Sequence, residues 1–427
     1  MKARWLSRFA ALLLPTMAGA ADVEQVYSVP LRTIAFSSGS STYYKYGIHL
    51  GIGGGAPALF EFDTGGEGFY AAYSSSAAWW GPNVSVTATS FTKSFSSGLT
   101  YEGFVAEAPL TFYKADGQTV FAPATTARIG QSTPITNGAT TLWPNSGGSA
   151  PVDGNFFGDF GLTLKRGAHG IENFLAQLTY GNGITGGYKV SLGPYGSIGQ
   201  AVLQIGLNAA DLANPDTIWF QMQGANPSDP FPGADSFSSY SAELLLADLT
   251  LQLGSEVETF PNLGINLDTG NPTPGLDFNA ADGSRLRPFS SADLLALSNG
   301  VLLTLQSDPT VGPGISVFQL LAGDDYGRNF VYESERSDGG STYLNVGALI
   351  FQQYQVTYNI EDGLLGLTPI PEPSVVTLLA AAALAIGLRR PTRSSQRRNI
   401  AHRSLAGWQP VNVGRPKLTR DRNGRDS

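Results

Sequence analysis

Apolar and polar residues alternate with period two along much of this chain, which predicts strands rather than helices. In YYKYGIHLGIGG, residues 43–54, the apolar positions Tyr46, Ile48, Leu50 and Ile52 trace one face of a half-buried strand. VYSVPLRTIAF, residues 26–36, has the same character, and Ser37-Ser38-Gly39-Ser40-Ser41 between the two reads as a turn. The alternation returns in AELLLADLTLQLG, residues 242–254, and Asp362-Gly363 between YNI and LLGL marks a hairpin. FSSADLLALSNG, residues 289–300, is the best helical pattern of the second half, with serines at its start, Leu294, Leu295 and Leu297, and a Gly stop. Residues 115–150, 226–239 and 269–274 are dense in Gly, Ser, Thr, Pro or Asp and predict surface connections.

Two strand-like runs end in the same tripeptide. FEFDTGGEGFY, residues 60–70, and VETFPNLGINLDTG, residues 257–270, each pass from apolar residues into Asp-Thr-Gly. At ordinary residue frequencies two such copies are on the order of a one-in-a-hundred accident. Repetition on this scale implies two similar halves that meet at a shared site. Two carboxylates face to face do not both ionise cheaply, so they hold one proton between them. One member can then take a proton from water as it attacks a peptide carbonyl, while the other donates to the carbonyl oxygen. The Gly of each motif lets the backbone turn closely beneath the carboxylates.

Composition narrows the chemistry further. The 427 residues are enough for two domains and 42% are hydrophobic, enough for a core in each. Only 14% are charged, against roughly 25% in an average soluble domain. The 52 Gly and 17 Tyr in their place suit a β-rich chain with many turns. There is no Cys, which excludes thiol nucleophiles, thiolate metal sites and disulfides. His49, His169 and His402 have no ligand spacing, so neither a metal nor a cofactor is expected. Residues 389–427 hold 11 Lys and Arg against 2 Asp, and residues 1–20 hold 3 basic side chains; removing these from the totals of 26 and 34 leaves 12 basic and 32 acidic. A main body with net charge −20 repels nucleic acid. At the N-terminus Lys2, Arg4 and Arg8, an apolar run and Ala18-Gly19-Ala20 read as a signal peptide over residues 1–20, cut before Ala21.

YYKYGIHLGIGGGAPALFEFDTGGEGFY, residues 43–70, resembles the opening of the pepsin-like aspartic proteases, and the likeness extends over residues 27–369. FSSGLTYEGFVAEAPLTF, residues 95–112, resembles their flap hairpin and following strand. GDFGLTL and IENFLAQL, residues 158–164 and 171–178, are similar to the apolar-apolar-Gly segment and the short helix after it. VLQIGLNAADL, residues 202–212, resembles the strand entering the second lobe, and residues 343–369 resemble the closing strands. Each half then carries a two-part signature, Asp63 with Asp159-Phe160-Gly161 and Asp268 with Asn345-Val346-Gly347.

The resemblance implies an all-β, bilobal fold with a few short helices and a cleft between lobes at 21–195 and 196–369. It implies an endopeptidase acting on polypeptide through a water activated between Asp63 and Asp268, without cofactor, in a monomeric mature form. Thr64 and Thr269 would cross-bond to the opposite lobe, with Gly65 and Gly270 completing the dyad's support. Phe95, Tyr101 and Tyr70 would border the flap and substrate cleft. Gly66 and Asn271 stand where the family has Ser or Thr bonding the catalytic carboxylate, Phe95 where it has a flap Tyr, and Ala348 where an Asp commonly follows the Gly. These departures leave a second expectation, a catalytically inactive surface or matrix protein that binds peptide or glycan in the cleft. A calcium-dependent adhesin is less supported, because the acidic residues form no repeated ligand loop.

Pro371-Glu372-Pro373-Ser374, the apolar residues 375–388 and Arg389-Arg390 resemble the PEP-CTERM sorting signal of Gram-negative bacteria that make exopolysaccharide. That resemblance implies transient insertion in the inner membrane over residues 370–390, processing near Pro371, Glu372 and Pro373 by an exosortase-type enzyme, and delivery to the cell surface or matrix. The 14 apolar residues are fewer than the roughly 20 that span a bilayer comfortably. Residues 391–427 are a basic tail, expected to be disordered.

Overall fold

The strand Ser41–Ile52 carries its predicted alternation into the core, with Tyr46, Ile48, Leu50 and Ile52 all buried. It pairs antiparallel with Arg32–Ser38, with Ala58–Asp63 and with Leu99–Tyr113. These relations come from a computed structural model of the chain, which describes residues 21–371 apart from 234, 293–294, 308–315 and 337–339. The expected signal peptide, Glu372 and Pro373, the apolar run after them and the basic tail lie outside the described residues. No helix among the described residues is long and apolar enough to cross a membrane.

The chain is all-β, and its two halves repeat one arrangement. In the first, a ten-stranded sheet runs Thr140–Trp143, Thr126–Asn137, Phe69–Ala72, Gly158–Gly161, Ala58–Asp63, Ser41–Ile52, Leu99–Tyr113, Ser85–Ser94, with two further strands alongside. In the second, a seven-stranded sheet runs Ser316–Leu321, Leu302–Ser307, Leu245–Leu253, Glu256–Asn266, Tyr343–Asn345, Gly275–Phe278, Tyr332–Glu335. Ala58–Asp63 lies parallel to Gly158–Gly161, which is antiparallel to Phe69–Ala72. Glu256–Asn266 lies parallel to Tyr343–Asn345, which is antiparallel to Gly275–Phe278. Register therefore equates Glu61 with Asn266 and Asp159 with Asn345, since each pair faces across the parallel ladder just before an Asp-Thr-Gly.

A six-stranded sheet draws on both halves. Thr185–Ser191 pairs antiparallel with Tyr354–Asn359, and the rings of Tyr188 and Tyr358 stack there at 4.5 Å. Tyr354–Asn359 then turns back into Leu364–Pro369 through a four-residue connection in which Asn359 and Asp362 are hydrogen-bonded and Gly363 takes φ +68. A buried aromatic cluster lies beneath the first Asp-Thr-Gly, where Phe160 meets Phe69 at 5.4 Å and Phe112 at 6.0 Å.

Three expectations need correction. Residues 289–300 form no helix where they are described: Ser290 pairs with Leu297 and Ala296 with Tyr332 as isolated bridges. The backbone is spent on a neighbouring strand, with Glu333 N–H donating to Leu295 O and Leu297 N–H to Val331 O, and the apolar Ala296 and Leu297 are buried by that pairing. The helix of this region is Ala280–Leu286, whose Asn279 cap accepts from Asp282 N at 2.9 Å. Residues 115–150 are not simply a surface connection, because Thr126–Asn137 pairs with Leu99–Tyr113 and buries Ala127, Ile129 and Ile135. Thr269 and Thr273 of the 269–274 stretch are likewise fully buried.

Phe160→Ala is expected to lower the unfolding free energy by about 3–5 kcal/mol, the cost of emptying a fully buried phenyl site. Chemical denaturation of the two proteins at equal pH measures it.

Candidate active site

Each Asp-Thr-Gly sits where a strand leaves its sheet, and the two turns are locked to one another. Thr64 N–H donates to Thr269 Oγ1 and Thr269 N–H to Thr64 Oγ1, both at 3.0 Å. The hydroxyls continue outward, Thr64 Oγ1 to Leu267 O and Thr269 Oγ1 to Phe62 O, both at 2.8 Å. Both threonines are buried, so each of these bonds satisfies a group that water does not reach.

The lock brings Asp63 and Asp268 together and explains the glycines. A Cβ on Gly65 would lie 2.5 Å from Asp268 Cγ, and one on Gly270 would lie 2.6 Å from Asp63 Cγ. Each carboxyl thus packs on the opposite turn, in space that only glycine leaves free. Gly65 N–H donates to Asp63 Oδ1 at 2.8 Å, the one donor to that carboxyl among the described residues. Asp268 has three: Gly270 N and Asn271 N reach Oδ1 at 2.8 and 3.2 Å, and Asn345 Nδ2 reaches Oδ2 at 2.7 Å.

Burial holds the Asp63 carboxyl well above the ordinary carboxylate range, and the charges of Asp268 and Asp159 push in the same direction. Asp159 is raised well above its ordinary value by burial, then by Glu61 and Asp268. Glu61 is raised by burial despite Lys45, whose ammonium lies 2.8 Å from Glu61 Oε1 and 2.7 Å from Asp153 Oδ2. Burial alone would lower Lys45, but those two carboxylates outweigh it and hold the charge on. Among the described residues no cluster of His, Asp and Glu is arranged to hold a metal ion.

The flap residues divide. Ser85–Ser94 and Leu99–Tyr113 form a long hairpin closed by Phe95 N–H to Leu99 O and Gly98 N–H to Phe95 O. Phe95 is half-buried and packs edge-on to Tyr101 at 5.4 Å and Tyr70 at 6.1 Å. Tyr70 and Tyr101 are each only 1% exposed and belong to a core cluster, so they support the hairpin from inside rather than line an open cleft. The hairpin is tied to the first turn by charge: Lys93 contacts Glu67 at 2.7 Å, and Lys165 reaches the same carboxylate at 3.2 Å.

Residues with no assigned role in the sequence also converge here. Glu61, Asp159 and Asn345 gather around the dyad: Asp159 and Asn345 head the two apolar-apolar-Gly segments, and the signal for Glu61 is a polar residue inside an otherwise apolar strand. Asn271 turns its side chain away from Asp268, donating from Nδ2 to the Tyr332 hydroxyl at 2.9 Å. Ala348 is buried and its N–H bonds Asn271 O, bracing that turn through backbone alone.

Two outcomes follow. Thr269→Val strips the acceptor from Thr64 N–H and the donor from Phe62 O, and is expected to cost about 2–4 kcal/mol of stability in denaturant titration. Asp63, Asp159 and Glu61 all have raised folded values, so their contribution is complete below the unfolded value near about pH 4 and is lost as pH rises through the folded ones. Asp22, Glu67 and Asp211 are lowered and lose their contribution on the acid side. The thermal midpoint should therefore peak near about pH 4 and fall towards neutrality, and Asp63→Asn should flatten that fall.

No family model and no curated protein matches the sequence. Among solved structures, the crystal structure of an aspartic proteinase from Irpex lacteus is similar, with a TM-score of 0.47 and 15% identity over 83% of this chain and 100% of that one. The sheets themselves make the chain an all-β protein whose two halves repeat one arrangement around the paired Asp-Thr-Gly turns.

Proposed function

We propose that this chain is an aspartic endopeptidase. The observation that carries the reading is the reciprocal packing of Asp63 and Asp268 on the opposite turn's glycine, held by the four threonine bonds. That arrangement fixes two carboxyls at one point without a metal or a nucleophilic side chain. The unequal donor sets divide the roles. Asp63, whose carboxyl is held raised, keeps its proton and acts as the acid, and Asp268, faced by three N–H donors, acts as the base. Water loses a proton to Asp268 as its oxygen bonds the peptide carbonyl carbon, while Asp63 protonates the carbonyl oxygen. Collapse of the gem-diol breaks the C–N bond: the amine leaves with the proton held on Asp268, a gem-diol hydroxyl returns its proton to Asp63 as the new carboxyl forms, and both carboxyls regain their starting states.

Incubated with a mixed peptide library from about pH 3 to 7, the full chain should cleave best on the acid side, where Asp63 holds its proton. Asp63→Asn and Asp268→Asn should each lower kcat by about a thousandfold or more with the fold intact. A folded wild type that cuts nothing across that range instead identifies a peptide- or glycan-binding groove.

The proposal extends to export and sorting. Residues 1–20 supply the secretion signal, and 370–390 supply the segment held transiently in the inner membrane and read by an exosortase-type enzyme. Mass spectrometry of the protein recovered from a Gram-negative host with such an enzyme should find an N-terminus at Ala21 and a C-terminus near Pro371. Recovery of the intact C-terminus at the cell surface would refute the sorting step.

A further inference from the structure

Asp159 is the least explained polar group beside the dyad. It lies on Gly158–Gly161, directly across the parallel ladder from Glu61, and is only 4% exposed. Neither of its carboxyl oxygens has a hydrogen-bond partner among the described residues, and the buried Tyr101 hydroxyl, whose proton burial holds, has none either. An unpaired carboxylate in such a place is expensive, whereas a neutral carboxyl needs only an acceptor for its O–H.

The acceptor is adjacent. A Cβ on Gly66 would lie 2.7 Å from Asp63 Oδ2 and 2.9 Å from Asp159 Oδ2, so the two carboxyls border the same small space. The φ of Gly66 lies outside the left-handed region, and its backbone would accept a side chain. Gly stands there because the two carboxyls take up the room. The other half shows what the arrangement does: Asn345, equivalent to Asp159 by register, donates from Nδ2 to Asp268 Oδ2 at 2.7 Å.

We propose that Asp159 is a positioning residue of the dyad, whose neutral carboxyl faces Asp63 across the space left by Gly66 and turns its O–H to Asp63 when substrate binds, as Asn345 donates to Asp268. This rests on the dyad reading above. The groups that face Asp159 and set its proton affinity are Glu61 and Asp63 from its parallel neighbour, Tyr70 from the antiparallel one, Tyr101, Asp268, and the ammonium groups of Lys45 and Lys93. Burial and the carboxylates outweigh the two lysines, and the proton stays on.

The test uses the full chain and three variants: Asp159→Asn, Asp159→Ala, and Gly66→Ser combined with Asp159→Ala. If Asp63 and Asp159 must both be protonated, wild-type kcat/KM falls by about two decades per pH unit on its alkaline side, and Asp159→Asn, whose amide donates at every pH, falls by about one. Asp159→Ala should lose about 10- to 100-fold in kcat, and adding Gly66→Ser, whose hydroxyl enters the vacated space, should recover most of it. If Asp159→Ala fails to fold, the slope in Asp159→Asn decides.

A readout independent of cleavage keeps the two proposals separate. The carbon-13 carboxyl resonance of Asp159, identified by its loss in Asp159→Asn, should remain in the protonated position as pH rises well past the ordinary carboxylate range. Titration near the ordinary value of about 4 would overturn the inference even in an active protease. So would an unchanged alkaline slope together with full activity in Asp159→Ala. A chain that cleaves nothing, but whose Asp159 stays protonated and whose Asp63 resonance moves in Asp159→Ala, would sink the protease reading and leave the positioning role standing.

Discussion

Two hydrogen bonds between Thr64 and Thr269, residues 205 apart in sequence, and one from each hydroxyl to Leu267 O or Phe62 O hold the turns together, and the site depends on them. Each threonine both accepts from the other's backbone and donates to the strand behind it, so neither turn is complete until both are present. Such a contact brings little reward until the loop between its ends has been closed. The six-stranded sheet helps here, because Thr185–Ser191 against Tyr354–Asn359 draws the halves together through ordinary ladder bonds. The glycines are the steric counterpart of the same lock. Gly65 and Gly270 are required less for their backbone angles than for the carboxyl each must admit from across the interface.

Closing the lock concentrates acid. Glu61 and Asp159 are buried beside the partly exposed Asp63 and Asp268, and the cations that answer them, Lys45 and Lys93, stand on other strands of the sheet. Four such crowded carboxyls facing two ammonium groups do not all ionise at an acceptable cost, so part of the cluster holds protons. The acid gathered beside the dyad therefore also weighs on the stability of the fold as pH rises. A chain whose central body carries net charge −20 adds to the same repulsion as pH rises.

Much of the fold was legible because its signals are local. Period-two alternation marked Ser41–Ile52 and Leu245–Leu253, and the paired Asp-Thr-Gly marked the halves and their meeting point. What escaped was decided at a distance. Residues 289–300 have helical spacing, yet their backbone groups find partners on Tyr332–Glu335, and that tertiary offer overrides local propensity. Thr126–Asn137 reads as a Thr- and Gly-rich connection, but parallel pairing with Phe69–Ala72 and antiparallel pairing with Leu99–Tyr113 make it interior sheet. Tyr101 reads as a cleft residue because its hairpin is one, whereas strand alternation points this ring inward. Asp159 and Asn345 were visible as letters within their motifs. Their proximity to the carboxyls required the register.

The two halves share a backbone plan, and their chemical difference comes from a handful of side chains laid over it. Where the second half has Asn345, a donor at any pH, the first has Asp159, a donor only while protonated. Where the second half has Asn271, fastened to Tyr332 and presenting its N–H to Asp268, the first has Gly66, whose missing side chain lets a second carboxyl approach Asp63. The result is one carboxyl fed by three donors and another crowded by acids. A perfectly symmetric pair would share its proton without preference, and either member could serve as acid or base. Here the surroundings differ, and the asymmetry between the two carboxyls follows from which neighbours carry an amide and which carry an acid.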